Sequence, residues 1–279
     1  MVRFIIRFPL YRRAAVLLAA AVFCLALGGG SPAAFAAEKD PVTHGELKEL
    51  VRELLRENPD ILLDVLRENS VEVLEIAQQG SQAMQLRSLR ARWAEDLAAP
   101  ARNVDYARPI RGKADAPVTI VAYSDYTCPY CATASRIIGQ VLIARPDTAR
   151  FIFKNLPLKS NPLSRLASEY VTAAYMQDEA KGWALHDAIF ENQSRFLDEG
   201  EGFLRATALS VGLNLQKLTT DMKSKAVKTI IDDDMMEAKE VKATGTPFHL
   251  VNNLTLSGAV PLPFFLEGVD TAKKAAEGK

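Results

Sequence analysis

The chain has 279 residues, and its 34 Lys and Arg are balanced by 34 Asp and Glu, for a formal net charge of zero at neutral pH. Nothing in it forms the concentrated basic stripe that phosphate neutralisation requires, which argues against nucleic acid as a partner. The length suits one medium domain with an accessory segment.

Residues 1–36 contain Arg3, Arg7, Arg12 and Arg13 and no acid, then an apolar run from Ala14 to Leu27, then small residues ending Ala34-Phe35-Ala36. This is the three-part pattern of a cleaved secretory signal, with cleavage expected after Ala36. The apolar run falls short of the roughly twenty residues that a membrane-crossing helix needs. Arg12-Arg13 lacks the wider twin-arginine motif, so ordinary export is expected. Cys24 lacks the small residue expected just before a lipidated cysteine and is expected to leave with the signal. The mature chain then carries 30 basic and 34 acidic residues and two cysteines.

Residues 42–97 are charged and helical in pattern. Thr43 and Glu46 have the spacing of a capping box, and Leu47, Leu50, Val51, Leu54 and Leu55 form a helical stripe. Asn58-Pro59 ends this helix and opens another, Asn as N-cap and Pro at the first helical position; Ile61, Leu62, Val65 and Leu66 form its apolar side. A longer helix is expected from Val71 to about Leu97, with Pro100 as its stop. Such amphipathic helices need a surface on which to bury their stripes. Self-association through residues 42–97 is the expectation; folding back on the chain's own catalytic domain is the alternative.

Residues 101–116 read as a linker punctuated by Pro109 and Gly112. Val118-Thr119-Ile120-Val121-Ala122-Tyr123 reads as a buried strand and leads directly to Cys128. A helix follows to about Ala144, then a second strand at Arg150-Phe151-Ile152-Phe153-Lys154. Residues 162–240 read as mostly helical, with breaks near Lys181-Gly182, Glu199-Gly200 and Gly212. Phe248 to Val251 and Leu254 to Leu256 flank Asn252-Asn253 as a hairpin, and a last helix follows Pro263.

Cys128-Pro129-Tyr130-Cys131 is the only cysteine pair of the mature chain. A structural disulfide usually closes a longer loop, because it stabilises largely by restricting the unfolded chain. A lone Cys-x-x-Cys in an oxidising compartment reads instead as chemistry. The strand, loop and helix order puts Cys128 at a helix N-terminus with Pro129 at the first helical position. There the helix dipole and free backbone N–H groups stabilise a thiolate, so Cys128 is the expected nucleophile. Cys131, on the same helical face and within disulfide reach, is the expected resolving thiol. The cycle runs through a mixed disulfide and calls for no cofactor. A zinc or copper site is the rival reading, but structural zinc wants four ligands and only His44, His186 and His249 are left to supply them, widely scattered. A chaperone or scaffold with incidental cysteines is a further alternative.

The strand, the Cys-Pro-Tyr-Cys helix start, the long helical insertion and Gly245-Thr246-Pro247 before a hairpin together resemble the DsbA-like branch of the thioredoxin superfamily. Within it, the chain is similar to ScsC-type and other DsbA/DsbC-like periplasmic proteins with an N-terminal helical oligomerisation segment. The resemblance covers roughly residues 42–275 and implies an α/β thioredoxin-like fold with a helical insertion over about 162–240. Its domains would be a signal peptide at 1–36, a helical oligomerisation segment at 37–100 and a catalytic domain at 101–279. It implies that Pro247 is cis and lies against the disulfide and that the Thr246 backbone pairs with substrate as an added strand; Pro129 and Tyr130, between the cysteines, are expected to affect redox poise and substrate contact. The implied substrates are cysteine-containing exported proteins in the periplasm, held by backbone contacts and an apolar groove. The implied membrane partner is a quinone-linked oxidase or an electron-donating reductase.

Phe248-His249 departs from the pattern after that proline. His249 reads either as a partly exposed strand residue or as a cation beside the Cys128 thiolate. Asp125 reads as a cap of the helix rather than a tuning group. Lys154 reads as a solvated strand end or, alternatively, a residue near the site. His44 belongs to a helix start and His186 to helix packing. Asp232-Asp233-Asp234 reads as a solvated helix face without the calcium-loop pattern.

Overall fold

The computed structural model describes residues 43–278. The signal expected over residues 1–36, with Arg12-Arg13, Cys24 and the cleavage point, lies outside the described residues. The chain divides into two compact units at Asn69 and Ser70.

In the first unit, α1 (His44–Glu57) and α2 (Pro59–Glu68) follow one another. The Thr43 hydroxyl accepts from the Glu46 N–H while the Glu46 carboxylate accepts from the Thr43 N–H, the reciprocal bonds of a capping box. Asn58 differs from its expected role. Its side chain makes no cap bond to α2 and instead donates to the Leu54 carbonyl at 3.0 Å, closing the end of α1 where orphan carbonyls need donors. No residue of either helix is buried, and Leu50, Leu54, Leu62 and Val65 each keep about half their surface exposed.

The second unit begins with α3 (Ser70–Ala98). Its last turns are pinned to the hairpin of β4 (Phe248–Val251) and β5 (Leu254–Ser257). Trp93 is 2% exposed and donates from Nε1 to the Thr255 carbonyl at 3.1 Å. Buried Asp96 accepts from the Thr255 N–H and hydroxyl and pairs with Arg102 at 2.6 Å. The unit boundary therefore falls before α3, not at residue 100. A helical stripe announces that a face is covered but not by what, so Trp93 could not be assigned to the hairpin in advance.

The sheet has the order β1-β3-β2-β4-β5, built from β1 (Ile110–Gly112), β2 (Val118–Ser124), β3 (Ala149–Asn155), β4 and β5. β2 and β3 run parallel and the other pairs antiparallel. β1 lies within the expected linker; three residues that follow Pro109 and end in a Gly112 at φ +100° are too short for a periodic signal. β2 is buried along its whole length because both its edges are paired and both its faces covered, which explains its near-continuous apolar sequence. Ile120, Ala122, Phe151 and Phe153 join the larger core with α4 (Pro129–Ala144) and α11 (Leu262–Glu277). Val121, Tyr123, Ile152 and Phe248 face the other side, where Ala238 of α10 (Lys225–Glu240) covers them.

The insertion consists of α5 (Pro162–Gln177), α6 (Glu179–Glu191), α7 (Gln193–Glu199), α8 (Glu201–Ser210), α9 (Leu215–Asp221) and α10. Gly200 and Gly212 mark breaks as expected. Lys181-Gly182 does not: Asp178 starts α6 by accepting from the Lys181 N–H, and Gly182 sits inside the helix because a Cβ there would run into the Tyr175 ring.

Candidate redox site

β2 delivers the chain to a short loop, and Cys128 is the N-cap of α4 with Pro129 in its first turn. Asp125 is fully buried in that loop. It accepts from the Thr127 N–H and hydroxyl, from the Leu158 N–H at 2.7 Å and from the Ser164 hydroxyl. Asp125 thus braces the loop against the segment after β3 instead of capping α4. Gln193, at the start of α7, donates to the Tyr126 and Cys128 carbonyls at 2.8 and 3.0 Å. It was not singled out from the sequence, where a helix-start glutamine carries no signal of a partner so far along the chain.

Cys128 and Cys131 are unbonded thiols. Cys128 is 7% exposed and Cys131 1%, so only Cys128 offers a surface to an incoming sulfur. The Cys128 thiol is lowered from 9.0 to about 6. The largest cause is the hydrogen bond that Cys131 donates to it; burial opposes the shift, and the Thr246 side chain and the N–H groups of Cys131 and Tyr130 support it. Those N–H groups are the free donors of the α4 N-terminus. Burial, reinforced by its hydrogen bond to Cys128, pushes the Cys131 thiol well above its usual range. The two cysteines are chemically unequal before any substrate arrives.

The Thr246–Pro247 peptide is cis, and Cys128 Sγ lies 3.5 Å from the Thr246 carbonyl oxygen. Tyr130, between the cysteines, is 66% exposed. A groove of about 490 Å³ opens beside Pro129, lined by Thr133, Arg136, Glu191, Asn192, Gln193 and Arg195. This lining is polar.

Three other residues depart from expectation. His249 is fully buried, with its ring 5.2 Å from that of Phe265. Its strand lies between β2 and β5, and burial lowers the imidazole to about 4, against the hydrogen bond to the Leu256 backbone. It is neither partly exposed nor a cation. Lys154 is fully buried on the Tyr123 side of the sheet, with Nζ 2.7 Å from Glu237 and 3.8 Å from Asp234. It is neither a solvated strand end nor part of the site. Asp234 is buried too, pairing with Arg108 at 3.0 Å and accepting from the Asn155 N–H and side-chain amide, so the three-aspartate run is not uniformly solvated. His186 packs as expected, ringed by Phe153, Trp183 and Phe190 at 4.8–5.1 Å.

The family model described as a DSBA-like thioredoxin domain matches residues 119–270. Among curated relatives, the chain is 27% identical over 168 residues to Na(+)/H(+) antiporter NhaA 3 of Salinispora tropica, covering 60% of this chain and 24% of that protein. The chain thus spans about a quarter of the length of the antiporter relatives it matches. It is 29% identical over 177 residues to the probable disulfide bond formation protein D of Bacillus cereus, covering 60% of this chain and 76% of the relative. Among solved structures, a thioredoxin-like oxidoreductase from Silicibacter pomeroyi DSS-3 superposes with a TM-score of 0.54 at 28% identity, over 61% of this chain and 94% of that one. Among the described residues, no helix is long and apolar enough to cross a membrane. The fold is the expected thioredoxin-like α/β arrangement with a helical insertion.

Proposed function

The chain belongs to the family of DSBA-like thioredoxin domains, and from that premise we propose that it exchanges disulfides with exported proteins through Cys128 and Cys131. The observation that carries this reading is the inequality of the pair: a Cys128 thiol lowered to about 6 and partly open, against a sealed Cys131. In the oxidising direction a substrate thiolate attacks Cys128 of the Cys128–Cys131 disulfide and Cys131 leaves with the electron pair. A second substrate thiolate then attacks the substrate sulfur, forming the substrate disulfide and releasing Cys128 as a thiolate. Pro129 and Tyr130 flank the reacting sulfur, and Thr246 and Pro247 close the opposite wall against which an extended substrate pairs. Reduced-insulin and scrambled-ribonuclease assays test the proposal: activity lost in Cys128→Ser supports it, and full activity there points to a redox-independent chaperone.

The proposed compartment is the periplasm, reached by the signal read in residues 1–36. The proposed partners are cysteine-containing exported proteins and a membrane redox protein that either oxidises or reduces the pair. A second copy of the chain is the proposed cover for the exposed stripes of α1 and α2, within the 42–97 segment. Two sites held around one misfolded substrate suit isomerisation, so an oligomer favours that role. Light scattering of chains beginning at residues 37 and 70 tests the assembly, since a start at 70 keeps Trp93 and Asp96 in place. The cellular redox state of the pair separates the roles: oxidised for an oxidase, reduced for an isomerase.

A further inference from the structure

Behind Cys131 lies a small space that the cycle above does not use. It measures about 10 Å³ and is lined by Cys131, Ser124 and Ser135 together with His186 and His249, close to the lower limit for one water molecule. Both imidazoles are fully buried, and the Nε2 atom of each has no hydrogen-bond partner. A buried polar atom without a partner calls for a functional or solvent explanation.

The state of His249 follows from its other nitrogen. Nδ1 lies 3.3 Å from the Leu256 carbonyl oxygen. A carbonyl only accepts, so Nδ1 carries the proton and Nε2 of the neutral ring is a bare lone pair. His186 is different: its Nδ1 lies 3.0 Å from the Tyr126 hydroxyl, which can donate or accept, so no tautomer is imposed. The nearest strand partner of His249 on β2 is Ala122, which brings no charge. From α4 come Cys131, Ala134, Ser135 and Ile138, from α6 His186 and Phe190, and from α11 Phe265. Among the described residues, the titratable groups facing His249 across the space are therefore Cys131 and His186.

We propose that His249 Nε2 accepts the Cys131 proton when the mixed disulfide is resolved, and returns it in the reverse step. The proposal rests on the assignment of Cys128 as nucleophile and Cys131 as resolving thiol. In the reductive direction Cys131 Sγ attacks Cys128 Sγ of the Cys128–substrate disulfide. The Cys131–Cys128 bond forms, the Cys128–substrate bond breaks, and the substrate sulfur leaves as a thiolate with the electron pair. The Cys131 proton passes to His249 Nε2 across one water in that space, and from there to solvent once the substrate has gone. In the oxidative direction a substrate thiolate attacks Cys128, Cys131 leaves as a thiolate, and the neutral ring relays a proton from solvent to it as the charge on Cys131 develops.

Solvent alone serves this step poorly. Cys131 is 1% exposed, and burial holds its thiol protonated. The same burial keeps the imidazole neutral at physiological pH, so its lone pair is available. Transfer to so weak a base is uphill at rest and becomes favourable only as the new sulfur–sulfur bond drains charge from the thiol, which is the behaviour of general base catalysis.

The test uses the reduced full chain and Ellman's reagent. A first phase releases one thionitrobenzoate as Cys128 is captured, and a second releases another as Cys131 resolves the adduct. His249→Asn keeps an amide donor toward Leu256 and removes the base. The expected result is an unchanged first phase, with the same pH midpoint, and a second phase slowed by about 100-fold. A second phase at the parent rate overturns the proposal. Should that variant fail to fold, the parent protein in D2O decides. A second phase slower in D2O, beyond any change in the first, supports proton transfer during resolution; no difference overturns it. Loss of the first phase in the folded parent would instead remove the Cys128 assignment, and this inference with it.

Discussion

Cys128 and Thr246 stand 118 positions apart in the chain yet meet with Cys128 Sγ 3.5 Å from the Thr246 carbonyl. The strand-to-helix turn after β2 and the turn into β4 are brought side by side by the antiparallel pairing of Tyr123 with Phe248. The consequence is chemical, because the Thr246 side chain also helps hold the Cys128 thiolate.

Alkylation of the reduced chain by iodoacetamide is expected to modify Cys128 alone, with a midpoint near pH 6. Thr246→Val removes one hydrogen bond to the sulfur and is expected to move that midpoint upward. The linkage has a definite sign. A folded-state value below the unfolded one means that the thiolate stabilises the reduced protein fully above about pH 9, and that this stability is lost as pH falls through about 6. Melting of the reduced and oxidised forms across that range measures it.

Trp93→Ala is expected to destabilise the second unit by about 3–5 kcal/mol, the usual range for truncating a buried tryptophan. The indole packs against Gly268 and donates to the Thr255 carbonyl. Urea unfolding of the chain beginning at residue 70 reads this directly. A loss below about 1 kcal/mol, typical of a surface change, would mean that α3 contributes little to the unit.

Lys154→Met is expected to cost about 3 kcal/mol, since it leaves Glu237 without its buried cationic partner. Asp234 keeps Arg108, so the loss centres on Glu237 and on the Tyr123 hydroxyl that donates to it. Alkylation of Cys128 should keep its midpoint, because this network lies on the far side of the sheet from α4.

Acid stability should report His249. Its folded-state value of about 4 lies below the ordinary 6.5, so the unfolded chain takes up a proton that the native one refuses. Stability is present above pH 6.5 and falls as pH drops through 4, by up to roughly 3 kcal/mol for this group. His186, lowered in the same direction by burial and then by Arg111, adds to the slope. His249→Asn is expected to flatten the curve of stability against pH, measured by denaturant midpoints across that range.

The local signals in the chain were strong where backbone chemistry is local. The capping box at Thr43 and Glu46, the apolar run of β2 and the Asn252-Asn253 hairpin each depend on neighbours within a few positions, so their residue types suffice. Cys128-Pro129-Tyr130-Cys131 was legible for a similar reason, as a helix start, whereas Gly245-Thr246-Pro247 alone reads as an ordinary turn and took its meaning from the family resemblance.

What the sequence determined by itself was the strand-to-helix order around the Cys128–Cys131 pair and which of the two heads a helix, while the thioredoxin-like domain was implied by resemblance to a family. The tertiary structure decided which polar residues lose their water. Lys154, Asp234 and His249 look like surface residues in their own segments, and become buried because β3, α10 and β4 have packing on both sides. Burial is set by what arrives from elsewhere in the chain, and it is burial that keeps His249 neutral and Cys131 protonated behind Cys128.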